Sequence, residues 1–117
     1  MKLVLLGIVA VSATVLSTIE PSDERVSKVY RDLLDLSSTI DGERKVGCRK
    51  AAKPDECLTS LTNLYWDVVD GETLITEALL AEDAGDSARK RVVVAMLRKT
   101  IDGKSSEFKR LQSLHVP

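Results

Sequence analysis

The sequence predicts an all-α protein: an apolar N-terminal segment, then a small antiparallel three-helix bundle or helical hairpin closed by one disulfide. Three observations predict it. Beyond residue 20, apolar residues recur at steps of three and four, the spacing of a helix buried on one face. No polar segment sustains the period-two alternation of a strand. Breaks containing Gly, Pro or Asp divide the chain into helix-sized pieces.

The first piece is residues 1–19. Lys2 precedes an uncharged run from Leu3 to Ile19, and Glu20 opens a highly charged remainder. A positive start, an apolar core and small residues describe a secretion signal or an uncleaved membrane anchor. Val11-Ser12-Ala13 and Val15-Leu16-Ser17 are candidate cleavage positions. The 17 residues Leu3 to Ile19 would rise about 25 Å as a helix, short of the roughly 30 Å hydrocarbon layer, which favours the cleaved signal. A stripe of small residues, Gly7, Ala10, Thr14 and Ser17, suits close helix pairing in lipid should the anchor be retained. The division is therefore 1–19, signal or anchor, and 20–117, an exported helical domain.

Within that domain, Val26, Val29, Leu33, Leu36 and Ile40 form a helical seam. Ser22 is the expected N-cap, with Asp23 and Glu24 in the first turn and Asp41-Gly42 as the stop, giving a helix over about 22–41. Residues 42–53 lack apolar periodicity and read as a loop. Pro54 suits the first position of a second helix, with Asp55 and Glu56 behind it. Leu58, Leu61, Tyr65, Val68, Ile75 and Leu79 extend that helix on a seven-residue repeat, and Gly71 marks a bend or a break inside it. Ala84-Gly85-Asp86 is a short connection that makes its neighbours antiparallel. Asp86 or Ser87 caps a third helix with the seam Val94, Leu97, Ile101, Phe108 and Leu111, and Gly103 offers a possible restart. Ile40-Asp41-Gly42, Val69-Asp70-Gly71 and Ile101-Asp102-Gly103 echo one another at spacings of 29 and 32 residues, too little to define a repeat.

Cys48 and Cys57 are the only cysteines; in an exported chain, such a pair means one disulfide. Two cysteines and the single distant His115 do not supply four zinc ligands, so no metal or other cofactor is expected.

Charge is sorted along the exported part. Residues 42–53 net +4, from Arg44, Lys45, Arg49, Lys50 and Lys53 against Glu43. Residues 54–85 net −8 with no basic residue, and residues 86–117 net +5. The structural reading lays the acidic second helix against the basic third one, in pairs that select register more than they stabilise. The functional reading has Arg89, Lys90 and Arg91, with the 44–53 loop, face an anionic membrane or an acidic partner. Near-balanced charge and only four aromatics argue against nucleic acid.

No phosphate loop, serine elbow or His-Glu helix motif occurs, and Asp67, Asp70, Glu72 and Glu77 read as a solvated face, so no enzyme is expected. The expected function is an exported, non-enzymatic helical module that binds a protein partner, secreted or periplasmic, with homo-oligomers possible. If Tyr65 is core, Trp66 turns outward and is the candidate hot spot, alongside Arg89, Lys90 and Arg91. The alternative is a membrane-anchored periplasmic coiled coil whose layout is similar to inner-membrane spanins and exported antiholins of phage lysis, a likeness of layout with no motif behind it. A secreted effector or inhibitor is a further alternative.

Overall fold

Helix dominates the computed structural model of the protein, which describes residues 21–116: α1 (Val26–Lys45), a 3-10 turn (Gly47–Lys50), α2 (Pro54–Val69), α3 (Glu72–Asp83) and α4 (Ser87–Leu114). No strand occurs among the described residues. The signal or anchor reading of residues 1–19, with its cleavage positions and small-residue stripe, lies outside them. No helix among the described residues is long and apolar enough to cross a membrane.

α1 sits four residues further along than the sequence suggests. Ser22 does not cap it; Arg25 occupies the N-cap position in extended conformation. The Ser22 hydroxyl instead accepts from the Glu24 amide, and the Ser22 amide donates to the Arg91 carbonyl on α4. The segment before α1 is thus spent on α4. At the other end Asp41-Gly42 does not stop the helix. Asp41 pairs with Arg44 and with Lys45 (2.9 Å), one turn on, and these i,i+3 and i,i+4 contacts carry α1 through Gly42 to Lys45. The expected loop of 42–53 therefore begins as helix, and the 3-10 turn follows to bring Cys48 against Cys57 on α2. The two form the expected disulfide, with Cα atoms 5.4 Å apart.

Pro54 takes the first turn of α2, where its missing N–H removes no helical bond. The break allowed for at Gly71 is real. α2 ends at Val69 and α3 starts at Glu72, with the Asp70 amide donating to the Trp66 carbonyl and the Gly71 amide to the Val68 carbonyl. Space explains the glycine. A Cβ at Gly71 would lie 3.0 Å from the Val68 oxygen and 3.2 Å from Leu33 Cδ1, so Leu33 of α1 fills the notch between α2 and α3.

α3 closes on Gly85 at φ 71°, the left-handed conformation glycine adopts without strain. The Gly85 amide donates to Glu82 O and the Asp86 amide to Ala81 O, the paired bonds of a Schellman stop. The Asp86 carboxylate then accepts from the Arg89 amide and caps α4. α4 passes straight through Gly103, so the restart allowed for there does not occur.

Cross-helix pairs give the topology. Lys104 of α4 reaches Asp67 of α2, while Arg89 and Lys90 reach Glu77 and Glu82 on α3. The 28 residues of α4 are therefore antiparallel to the 16 of α2 and the 12 of α3 placed end to end. α1 lies in the remaining groove, antiparallel to α2. The result is a three-helix bundle whose middle member is broken once.

The core is wholly apolar, and no polar or charged residue is buried among the described residues. The seams of α1 and α4 lie where expected: Val29, Ile40, Leu33, Val94 and Leu97 are almost fully enclosed. The seam of the middle segment differs. Leu58 and Leu79 are exposed, and Cys57, Leu64 and Ala78 take the inward positions. The seven-residue repeat itself runs on across the Gly71 break: Leu61, Val68 and Ile75 stay buried, while Cys57, Leu64, Gly71 and Ala78 take the places expected for Leu58, Tyr65, Glu72 and Leu79, a shift of one residue along the whole segment. The buried seams are filled within a single chain.

Candidate partner-binding surface

The route from core to surface at the middle of α2 runs through three side chains. Tyr65 is half-buried and packs on the core. The Arg44 guanidinium lies over its ring, 4.7 Å from the centroid, a cation–π contact. Trp66, one residue further round the helix, is 56% exposed and meets Tyr65 edge-on, centroids 5.4 Å apart at 80°. Asp41 in turn holds Arg44, so α1 braces the aromatic pair of α2. Lys45 and then Arg44, by hydrogen bonding its carboxylate, hold Asp41 below its ordinary pKa. Trp66 thus stands outward, as expected if Tyr65 is core, against a ring that Arg44 covers.

Arg89, Lys90 and Arg91 sit elsewhere. Some 15 residues of α4 separate them from Lys104, which faces Trp66's neighbour Asp67, so they lie roughly 20 Å along the bundle axis. Each is engaged within the chain: Arg89 with Glu77 at 3.7 Å, Lys90 with Glu82 at 3.4 Å, Arg91 with Asp23 at 2.9 Å. The structure therefore does not bring the triad and Trp66 into one site. It places the triad in the contacts that hold α4 against α3 and the pre-helix segment, as the structural reading of the sorted charge expects.

Arg98 escaped sequence reasoning. Its guanidinium bonds Glu24 twice (3.0 and 2.7 Å) and Asp32 once (2.6 Å). Hydrogen bonding from Arg98 lowers the pKa of both carboxylates, and theirs raises that of Arg98. Nothing local to Arg98 announces these partners, which come from the other end of the sequence.

An open groove of about 620 Å³ runs between α2 and α4, with Leu64 and Leu111 in its lining and Ser60, Asn63, Thr100 and Gly103 among the small residues that hollow it. Four of its charged groups pair, Lys104 with Asp67 and Glu107 with Arg110, and Lys99 is exposed at its edge without an ion pair among the described residues. Of the carboxylates on the acidic segment, Asp67 and Glu77 are in ion pairs, while Asp70 and Glu72 are exposed. No cluster of three or more metal-ligating side chains occurs among the described residues. His115 has a half-buried ring beside Asp55 and Leu114, at the end of α4.

Fold and surface together define an all-α, disulfide-pinned bundle with a braced aromatic pair on one flank. No protein-family model, curated protein or solved structure matches the chain.

Proposed function

We propose that this chain is an exported, non-enzymatic helical module that binds a protein partner through the surface around Trp66. The observation that carries the reading is an exposed tryptophan held edge-on to a tyrosine that is itself pinned by Arg44. Large aromatics that lose little freedom on binding dominate the energetics of protein interfaces. The apolar start of the sequence and the Cys48–Cys57 disulfide support export to an oxidising compartment, secreted or periplasmic. Intrachain filling of the helical seams favours a self-contained bundle over a coiled coil formed between chains.

The test is recovery of partners by the exported, tagged protein in wild-type and Trp66→Ala forms of equal thermal stability. A protein retained by the first, lost by the second and rebound in purified form supports the reading. Equal recovery by both forms overturns it. N-terminal sequencing of the same material distinguishes a cleaved signal from an anchor.

A further inference from the structure

The connection between α1 and α2 is the one joint between helices, among the described residues, that carries Arg or Lys. The other basic residues lie within α1 and α4, apart from Arg25. Arg49 and Lys50, in the 3-10 turn, are both exposed. Directly after them the helical run ends. Ala51 is extended at φ −70° and ψ 154°, and Lys53 stands at φ −127° and ψ 82°. Among the described residues, the amides of Ala52 and Lys53 donate to no backbone carbonyl. Over 49–53 the buried side chain is that of Ala51, a single methyl group, so freeing the stretch gives up little packing. Cys48 precedes the basic pair and Cys57 follows it, and their bond closes the loop across both.

We propose that the Arg49–Lys50 pair is a cleavage site for a protease selective for Arg or Lys, and that the product is a two-chain molecule held by Cys48–Cys57. Such enzymes seat one cationic side chain in an acidic pocket and need the backbone beside it free of helix. The bond nearest that state joins Lys50 to Ala51. Water adds across it: the carbonyl becomes the Lys50 carboxylate, and the nitrogen leaves as the Ala51 α-amine. Its neighbours Arg49, Ala51 and Ala52 carry no negative charge to oppose an acidic cleft. The other basic residues outside the helices are poorer sites. Lys53 leads into Pro54, whose ring fixes φ and removes the amide hydrogen. Arg25 follows a strap, in which Ser22 and Asp23 are held by Arg91 and Glu24 by Arg98. Cleavage leaves α1 attached to the other helices by packing and by one covalent link, the disulfide. It spares Arg44, Tyr65 and Trp66, so the proposal is independent of the protein-binding reading.

The experiment treats the exported protein, as the cell delivers it, with a trace of trypsin and follows its mass with and without reductant. The first product should keep every residue and gain one water before reduction. Reduction should then split it into two fragments, the first ending at Arg49 or Lys50. Arg49→Gln/Lys50→Gln should slow this first cut at least about 100-fold, because the pocket selects for a cation. Lys53→Gln should leave its rate unchanged. Both variants should melt with wild type, so the rate reads the bond and not the fold. A first cut at Arg25, at Lys45 or within α4 overturns the proposal. So does a wild-type rate in Arg49→Gln/Lys50→Gln, or cleavage that begins only when the whole chain unfolds.

Discussion

Arg98 on α4 grips Glu24 ahead of α1 through two parallel hydrogen bonds, Nε to Oε1 at 3.0 Å and Nη2 to Oε2 at 2.7 Å, across 74 positions of sequence. The same guanidinium bonds Asp32, so one side chain fixes both the entry to α1 and its first turns on α4. Both carboxylates sit below their ordinary values of 4.5 and 3.8, first because of the Arg98 hydrogen bond. A depressed carboxylate contributes stability above its unfolded pKa and loses it as pH falls through the folded one. Wild-type melting temperature should therefore drop as pH is lowered from about 5 towards 2. Arg98→Met should cost about 1–2 kcal/mol at pH 7, as expected for charge-assisted bonds in a partly exposed site. Its deficit relative to wild type should shrink at pH 2, where the carboxylates no longer pair. Thermal unfolding followed by circular dichroism across that range decides it, and a deficit independent of pH rules out the ionic account.

Local patterns made the helical class, the disulfide, the apolar seams of α1 and α4, and the outward turn of Trp66 legible in the sequence. Each depends on spacing within one helix or on a nearby pair. Much of what is not legible depends on residues distant in sequence, the continuation of α1 through Gly42 on the local Asp41 pairs excepted. Ser22 looks like a helix cap, yet its amide is taken by Arg91 on α4. Asp41-Gly42, Asp70-Gly71 and Asp102-Gly103 read alike, but only the middle pair lies at a helix boundary. Leu33 occupies the space beside Gly71, whereas a Cβ at Gly42 or Gly103 would meet nothing within 4 Å. Distant partners also decide which basic residues face solvent. Arg89, Lys90 and Arg91 form the denser run, but their partners come from α3 and the pre-helix segment, whereas Arg25, Arg31, Arg49, Lys50, Lys99 and Lys109 are exposed without an ion pair among the described residues.

That contrast between glycines yields opposite mutational signs. Gly103→Ala places a methyl group in open space within an exposed helix interior and should stabilise by about 0.5–1 kcal/mol through propensity alone. Gly71→Ala gains a similar propensity but presses on the enclosed Leu33 and the Val68 carbonyl, and should be net destabilising by about 1 kcal/mol. Urea denaturation of the two variants measures both. Equal stabilisation by the two would mean that Leu33 does not hold the break.

Reduction of Cys48–Cys57 should lower stability by about 2.7 kcal/mol, the loop-closure entropy returned to the unfolded chain for a span this short. Both sulfurs are buried, so the native disulfide should resist mild reductant and yield once denaturant opens the fold. Cys48→Ala/Cys57→Ala should retain the helical content of the bundle, because α1, α2 and α4 bury their seams independently of the bridge. Circular dichroism of that variant checks the point; a collapse of helicity would mean that the disulfide organises the fold rather than pinning it.

Tyr65 and Trp66 are neighbours with different jobs, and substitution should separate them. Trp66 is more than half exposed and touches Tyr65 at an edge, so Trp66→Ala should change stability by no more than about 0.5–1 kcal/mol. Tyr65 packs on the core and carries the Arg44 cation, so Tyr65→Ala should cost about 2–3 kcal/mol. Arg44→Gln tests the brace between them. It removes the cation over the Tyr65 ring and an ion pair to Asp41, both at the surface, and should cost less than about 1 kcal/mol. The same change should increase the mobility of the indole, because the ring it leans on is no longer held from α1. Time-resolved anisotropy of Trp66, the only tryptophan in the chain, reads that mobility directly. Faster depolarisation in Arg44→Gln at unchanged melting temperature is the expected result, and identical depolarisation would show that α2 alone orients the indole.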